Sequence, residues 1–357
     1  MATKTYKKME ELTEKAKTKD IVSVAESLGI KLTRTGQSYK GEWAGHDSFS
    51  FNPRKNTFDW YGRGLHGDSI DLVKTIKDVN FKGAVAYLNE INVESFDKSK
   101  LPPKEKFSYY LKDNEDIREL NQYLIEKRGL SEDTVSFFIS AGILSQSTWR
   151  STLDSGEYFY EPVAVFKQLN KQGAIDGASV QGFYKNEEIH KYHKSGHLKR
   201  IIPKSDGYGG FALNIGIPKR LIIFEAPIDM MSYYDLHKEN LTDVKLVACD
   251  GYKPMAYERY IIEILNPTWA YNSTSEGQKD VYDRIQKIEE IIPNIEGLPQ
   301  NFITFAYDND AAGNQFIQQF RETYPNIGQL SQSDLPPLEE GQLKSDWNDY
   351  LQKNKKI

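Results

Sequence analysis

Three short segments in the C-terminal part of the chain carry side chains whose type and spacing could do chemistry. They are Leu221-Ile-Ile-Phe224-Glu225-Ala-Pro-Ile-Asp229, Phe305-Ala-Tyr-Asp308-Asn-Asp310-Ala-Ala-Gly313 and Ser345-Asp346-Trp-Asn-Asp349. In the first two, an apolar run ends in carboxylates and a helix-like stretch follows. In an open α/β sheet, ligands bind at the C-terminal ends of the strands. Carboxylates gathered there repel one another unless a cation lies between them. Oxygen donors without imidazole or thiolate favour Mg²⁺ or Mn²⁺. The residues by themselves therefore point to an acidic divalent-metal site that handles phosphates. Asp250, at the end of the apolar run Lys245–Cys249, is a lower-ranked candidate at the same sheet edge. Each aspartate also has a plain structural role open to it: Asp310 and Asp346 could simply cap the helices that follow them.

A second group is basic. Residues 190–204 hold Lys191, Lys194, Lys199, Arg200 and Lys204 beside His190, His193 and His197, in a chain whose net charge is −5. Cations at that density suit a phosphate backbone, although a charge run is more often a solvated loop.

The elements that must position these residues follow from periodicity. Strands at 221–225, 245–249 and 302–307 alternate with helices at 227–237, 255–265, 278–292 and 311–323, the pattern of a mainly parallel sheet. Asp229 lies one helical turn after Glu225, so both can face one side in a supporting arrangement. Upstream, helices at 115–128 and 131–141 precede strand-like runs at 163–168 and 178–182. The stretch 94–106 is polar and interrupted by Pro102-Pro103, which reads as a linker. Near the N-terminus, 1–18 reads as a solvated helix or frayed arm. An amphipathic helix from Asp20 ends at Gly29. Strands are expected at 38–43, 48–52 and 57–61, and one helix from Asp68 to about Leu88. The divisions are 1–93, a linker at 94–106, 107–215 with the basic segment, and 216–357. The fold class is α+β and α/β in several domains.

The order Glu225 at one strand end, Asp308-x-Asp310-x-x-Gly313 at a later one, then the pair Asp346 and Asp349 resembles a TOPRIM domain, the module of bacterial-type primases, some topoisomerases and certain nucleases. Ala226 stands where the family has Gly. The resemblance covers roughly 216–357 and implies Asp308 and Asp310 as principal metal ligands. Glu225 is a further ligand or a general acid/base, and Asp346 and Asp349 bind metal directly or through water. It implies Mg²⁺ or Mn²⁺, as a pair of ions. Two cations about 3.5–4 Å apart can activate an attacking hydroxyl and neutralise a leaving pyrophosphate.

Residues 20–90 resemble the CHC2 zinc ribbon that opens bacterial primases. Trp43-Ala-Gly-His46, then Ser48-Phe49, Trp60-Tyr61-Gly62-Arg63 and Gly67-Asp68 stand at the ribbon's motif positions. All three Cys ligands are replaced, by Trp43, Trp60 and Arg63. A tetrahedral site needs four ligands, so no zinc is expected, with tryptophan filling the metal's volume. Tyr61 and Arg63 remain candidates for stacking on single-stranded nucleic acid, while the other aromatics read as core. The Gly62-x-Gly64-x-x-Gly67 spacing lacks the strand–helix–strand setting of a dinucleotide fold. Tyr123–Ser131 resembles the segment before TOPRIM in primase-like proteins of mobile elements and phages.

Composition narrows the function classes. The chain has 357 residues with 39% hydrophobic content, enough for two or three cores. A single cysteine, Cys249, rules out an intrachain disulfide framework. With no long apolar run and a polar N-terminus, no membrane span or secretory signal is expected, and the location is cytoplasmic. The resemblance as a whole implies a DNA primase-like nucleotidyltransferase in replication of a plasmid, integrative element or phage. Single-stranded DNA and NTPs would be its substrates, and a replicative helicase or other replication protein a partner. Two competing readings are a metal-dependent TOPRIM nuclease and a non-catalytic DNA-binding replication or transfer accessory protein.

Overall fold

Alternation explains the N-terminal core: Phe49 and Phe51 on one strand and Phe58 and Trp60 on the next point to a single face, where all four are buried. The computed structural model describes residues 2–35, 38–54, 56–60, 65–95, 106–153, 155–190 and 195–355. It divides the chain into two units, Met1–Lys104 and Glu105–Ile357. The proposed linker falls largely outside the described residues, as do Tyr61, Arg63, Lys191 and Lys194.

In the first unit, α1 (Ala2–Lys17) and α2 (Ile21–Ser27) precede an antiparallel sheet in simple order. Its strands are β1 (Lys31–Thr35), β2 (Ser38–Trp43), β3 (His46–Asn52), β4 (Thr57–Trp60) and β5 (Leu65–Gly67). Two helices follow, α3 (Ser69–Lys77) and α4 (Phe81–Glu90). The single helix expected over 68–88 is therefore two. Asp78 takes a left-handed conformation at φ 52°, and Asn80 accepts from the Gly83 N–H to start a new helix. Strand β1 was not anticipated either: its side chains are mostly exposed, so no apolar alternation marks it.

The second unit begins with α5 (Arg118–Asn121), which runs into a π-helical turn at Gln122–Lys127, and α6 (Glu132–Ser140). The regular helix expected over 115–128 is thus shorter and wider in its second half. An antiparallel sheet follows, β6 (Leu144–Thr152), β7 (Tyr158–Leu169), β8 (Ile175–Gly182) and β9 (Lys199–Ile201), again in sequential order.

The remaining elements are β10 (Phe211–Ile215), β11 (Arg220–Phe224), α7 (Pro227–His237), β12 (Val244–Ala248), α8 (Pro254–Leu265) and α9 (Ser275–Ile291). They continue with β13 (Ile303–Phe305), α10 (Ala311–Thr323), α11 (Pro325–Gln329), β14 (Ser331–Ser333) and α12 (Trp347–Lys355). The sheet order is β10-β12-β11-β13-β14. Only the β10–β12 pairing is antiparallel. Leu221, Ile222, Ile223 and Phe224 are all fully buried, as befits a parallel strand covered on both faces. Ile222 and Phe224 pack with Met231, Trp347 and Leu351 of α7 and α12, whereas Leu221 and Ile223 pack with Tyr257, Ile285 and Ile317 of α8, α9 and α10. The fold class is thus α+β and α/β multidomain, with a mostly parallel sheet in the C-terminal part. Among the described residues, no helix is long and apolar enough to cross a membrane.

Candidate functional site

The carboxylates of the first two motifs emerge where β11 and β13 end. Glu225 follows β11 directly. Ala226 is extended at φ −129°, a conformation open to any residue, so glycine is not required there. Pro227 then starts α7, where a missing N–H costs nothing. Asp308 lies three residues after β13 and is buried. Asp310 caps α10 by accepting from the Gly313 N–H at 2.8 Å. A Cβ on Gly313 would lie 2.4 Å from the Asp308 carbonyl oxygen, which explains the glycine of this motif.

The third motif is joined to the second by an isolated antiparallel bridge between Asn309 and Ser345. The Asn309 N–H donates to the Ser345 carbonyl at 2.8 Å, and the Ser345 N–H returns the bond at 3.3 Å. Such a pair sets the residues before and after it opposite one another. Asp308 therefore faces Asp346, and Asp310 faces Lys344. The Lys344 ammonium donates to Asp308 Oδ2 at 2.6 Å and stands 3.6 Å from Asp310 Oδ2. Asp346 accepts from the Asp349 N–H at 2.7 Å and so caps α12. Asp349 is exposed.

Both motif aspartates that could have been mere caps do cap helices. Asp308 does not, and its environment differs. Burial raises its carboxyl to about 6; the Lys344 hydrogen bond opposes this, while the charges of Glu225 and Asp346 add to it. Asp229 is buried on α7 and accepts from the Asn348 N–H at 3.2 Å. Burial, then the charges of Asp346 and Asp308, lift it well above the ordinary carboxylate range. Asp349 is raised by partial burial and by Asp346. Tyr252, which the sequence did not single out, belongs to this group. Burial raises its phenol, and the Glu225 carboxylate raises it further as charge and hydrogen-bond partner.

The structure therefore brings Glu225, Asp229, Asp308, Asp310 and Asp346 into one electrostatic neighbourhood. Among the described residues, no three His, Cys, Asp or Glu side chains stand close enough to enclose an ion as placed. The cation among them is Lys344. The donor set nonetheless suits a hard divalent ion. Asp308 Oδ1 and Glu225 Oε2 are buried and lack hydrogen-bond partners among the described residues, an arrangement that is costly unless something else pairs with them.

Beside Glu225 lies a cavity of about 520 Å³, lined by Glu225, Ala226, Pro227, Asp250 and Gly251 from the parallel sheet and by Ser179, Gln181, Lys199, Arg200 and Ile201 from the antiparallel one. Asp250, at φ 52°, accepts from the Ser179 hydroxyl at 2.9 Å; burial raises its carboxyl, and Lys253 and Lys199 pull it down. Lys199 also lowers Asp229. Two of the expected basic residues thus reach the acidic edge, whereas Lys204 is exposed and is not among that cavity's lining residues. A larger open hollow of about 870 Å³ is lined by Asp116, Arg118, Glu119, Glu126 and Glu132 and holds none of the motif residues.

In the N-terminal unit, two of the three residues at ribbon-ligand positions that are described meet as rings. Trp60 is buried and Trp43 half-buried, edge to face with centroids 6.2 Å apart. Phe49 stacks on Trp60 at 4.1 Å, and the exposed His46 ring approaches it at 5.5 Å. Aromatic packing thus occupies this corner of the sheet.

Comparison with known proteins finds two family matches, one in each unit. Residues 5–101 match the CHC2 zinc finger family, and residues 222–351 match the Toprim-like family. An uncharacterized protein of Bacillus anthracis, pXO2-78, is 28% identical over 345 residues, covering 95% of this chain and 88% of that one. Among solved structures, the Aquifex aeolicus primase (zinc-binding and RNA polymerase domains) is 16% identical, covers 96% of this chain and 82% of that one, and has a TM-score of 0.32. The primase fragment of the bacteriophage T7 primase-helicase protein is 13% identical, covers 87% and 91%, and has a TM-score of 0.33. The chain thus carries a CHC2-type match, with its cysteine positions replaced, at the front and a Toprim-like match at the back, a combination that resembles bacterial-type primases.

Proposed function

We propose that this protein is a nucleotidyltransferase that makes short primers on single-stranded DNA, in the replication of a plasmid, integrative element or phage. The observation that carries the reading is the Asn309–Ser345 bridge. It sets Asp308 opposite Asp346 and Asp310 opposite Lys344 at the end of a parallel sheet, with the cationic wall of Lys199 and Arg200 nearby.

Asp308 and Glu225 would hold Mg²⁺ or Mn²⁺ through their unpaired buried oxygens, with Asp310 and Asp346 contributing their remaining oxygens. Bound there, such ions lower the pKa of the attacking hydroxyl and neutralise the charge that develops on the leaving pyrophosphate. The chain's own residues do the rest. Lys199 and Arg200 bind phosphate oxygens of template or nucleotide in the adjoining cavity. Asp229, buried and held by the Asn348 N–H, orients the start of α7 and with it the turn carrying Glu225. Tyr252 holds the Glu225 carboxylate through a side-chain hydrogen bond. Asp250 steadies the loop after β12 through Ser179, and Asp349 lies at the exposed rim. Lys191, Lys194 and Lys204 of the basic segment, with Tyr61 and Arg63, are the further candidates for contacting the nucleic acid.

The test is a single reaction of purified protein with single-stranded DNA, labelled NTPs and Mg²⁺ or Mn²⁺. Oligonucleotide products that disappear in Asp308→Ala support the reading. Shortened template would instead identify a nuclease, and DNA binding with neither outcome an accessory protein.

A further inference from the structure

The acidic pocket contains a cation supplied by the chain itself. Lys344 reaches Asp308 at 2.6 Å and Asp310 at 3.6 Å, yet its side chain is 55% exposed. One end of it is anchored, because Ser345 is buried and doubly hydrogen-bonded to Asn309. The other end is free to leave, since the ammonium sits on a flexible stem with solvent on one side. Among the described residues, its ion-pair partners are Asp308 and Asp310, whose oxygens a divalent ion would need.

We propose that Lys344 is a tethered counter-ion: it neutralises the Asp308–Asp310 pair while no metal is present, is displaced when a divalent ion enters, and then pairs with the phosphates of the incoming nucleotide. This inference rests on the metal-site reading above and adds to it a residue which that reading does not need.

The physical argument is one of exclusion and reach. Two carboxylates on alternate residues just beyond β13 carry like charge, and without a counter-ion they repel one another. The ammonium offsets that at no cost in ordered solvent ions. A divalent ion brings twice the charge to the same oxygens, so the two cations repel and the weaker, mobile one moves out. The bridge limits how far it moves. The ammonium then sits beside a newly positive centre, where a triphosphate is the natural anion to receive it. Metal binding is thereby penalised alone and favoured with nucleotide, which couples the two ligands.

The experiment titrates Mn²⁺ into the full chain and reads the free ion by electron paramagnetic resonance, comparing wild type, Lys344→Met, Lys344→Arg and Asp308→Asn. Lys344→Met is expected to bind Mn²⁺ roughly two- to fivefold tighter, the range that loss of a competing, partly exposed ion pair implies. Lys344→Arg, which keeps the charge, stays near wild type. At saturating Mn²⁺, a fluorescent non-hydrolysable triphosphate should bind Lys344→Met more weakly than wild type by a similar factor. Equal Mn²⁺ affinity in wild type and Lys344→Met overturns the inference and leaves the metal site standing. Unchanged triphosphate affinity overturns its second half. Absence of Mn²⁺ binding in every variant, or unaltered binding in Asp308→Asn, overturns the metal-site reading itself.

Discussion

Asp308 is the residue whose chemistry and stability conflict most. Its carboxyl is buried and raised to about 6, so the folded protein holds this proton more tightly than the unfolded chain does. A raised acid pKa means stability falls as pH climbs from about 4 to about 6 and stays lower above that. In ion-free buffer at neutral pH, Asp308→Asn should therefore be more stable than wild type by about 1–2 kcal/mol, measured by urea unfolding, while ion-dependent product formation is lost. A destabilised Asp308→Asn would mean that the Lys344 pairing outweighs the burial. The carboxylates were legible in the sequence because each ends an apolar run. Lys344 and Tyr252 were not: one precedes its motif in a loop, and the other is one of 22 tyrosines, so only the fold reveals their neighbours.

At the scale of elements, β11, β12 and β13 and the helices α7 to α10 were legible to within about three residues, since Pro227, Pro254 and Asp310 mark helix starts and Leu221–Phe224 is unbroken apolar sequence. What sequence pattern missed were β1, β5, β6, β9, β10 and β14, which are short, edge-lying or polar. The π-helical turn at Gln122–Lys127 keeps helical periodicity and is set by tertiary contacts. There the Tyr123 hydroxyl accepts from Arg128 and Gln181. Asp235 shows how such elements are fastened. It accepts from the Ser131 and Thr134 hydroxyls, the Ser131 N–H and Lys355, joining α6 and α12 to α7. Burial alone would raise its carboxyl, but these hydrogen bonds bring it down to about 2. Its contribution is present above the unfolded carboxylate pKa and is lost as pH falls through about 2. Asp235→Asn should cost about 1–2 kcal/mol at pH 7 and flatten the acid limb of the stability curve, as read by thermal melts from pH 2 to 7.

For the molecule as a whole, the two units make separate predictions. In the first, tryptophan packing replaces metal ligands, so a chelator should leave its fold intact, checked by near-ultraviolet circular dichroism with and without EDTA. Trp60→Ala should cost about 3–5 kcal/mol, as for a large aromatic removed from a core. A loss of signal on chelation would point to a bound metal instead. In the second, single-stranded DNA binding should weaken with salt, and Lys199→Ala and Arg200→Ala should each reduce the slope of log K against log salt by about 0.7. An unchanged slope would place the DNA elsewhere.

The Asn309–Ser345 bridge also bears on how the protein is made. Glu225, Asp308 and Asp310 leave the ribosome well before residues 344–351. Trp347 donates to the Ala306 carbonyl, and Asn348 donates to Ser232 and to the Arg128 carbonyl. Until that late segment arrives, the acidic edge has neither its lysine nor its covering helix, so a nascent chain stalled before residue 344 would carry an open, self-repelling pocket. Competence for chemistry would come only once residues 344–351 have emerged, after all five strands of the sheet have been synthesised.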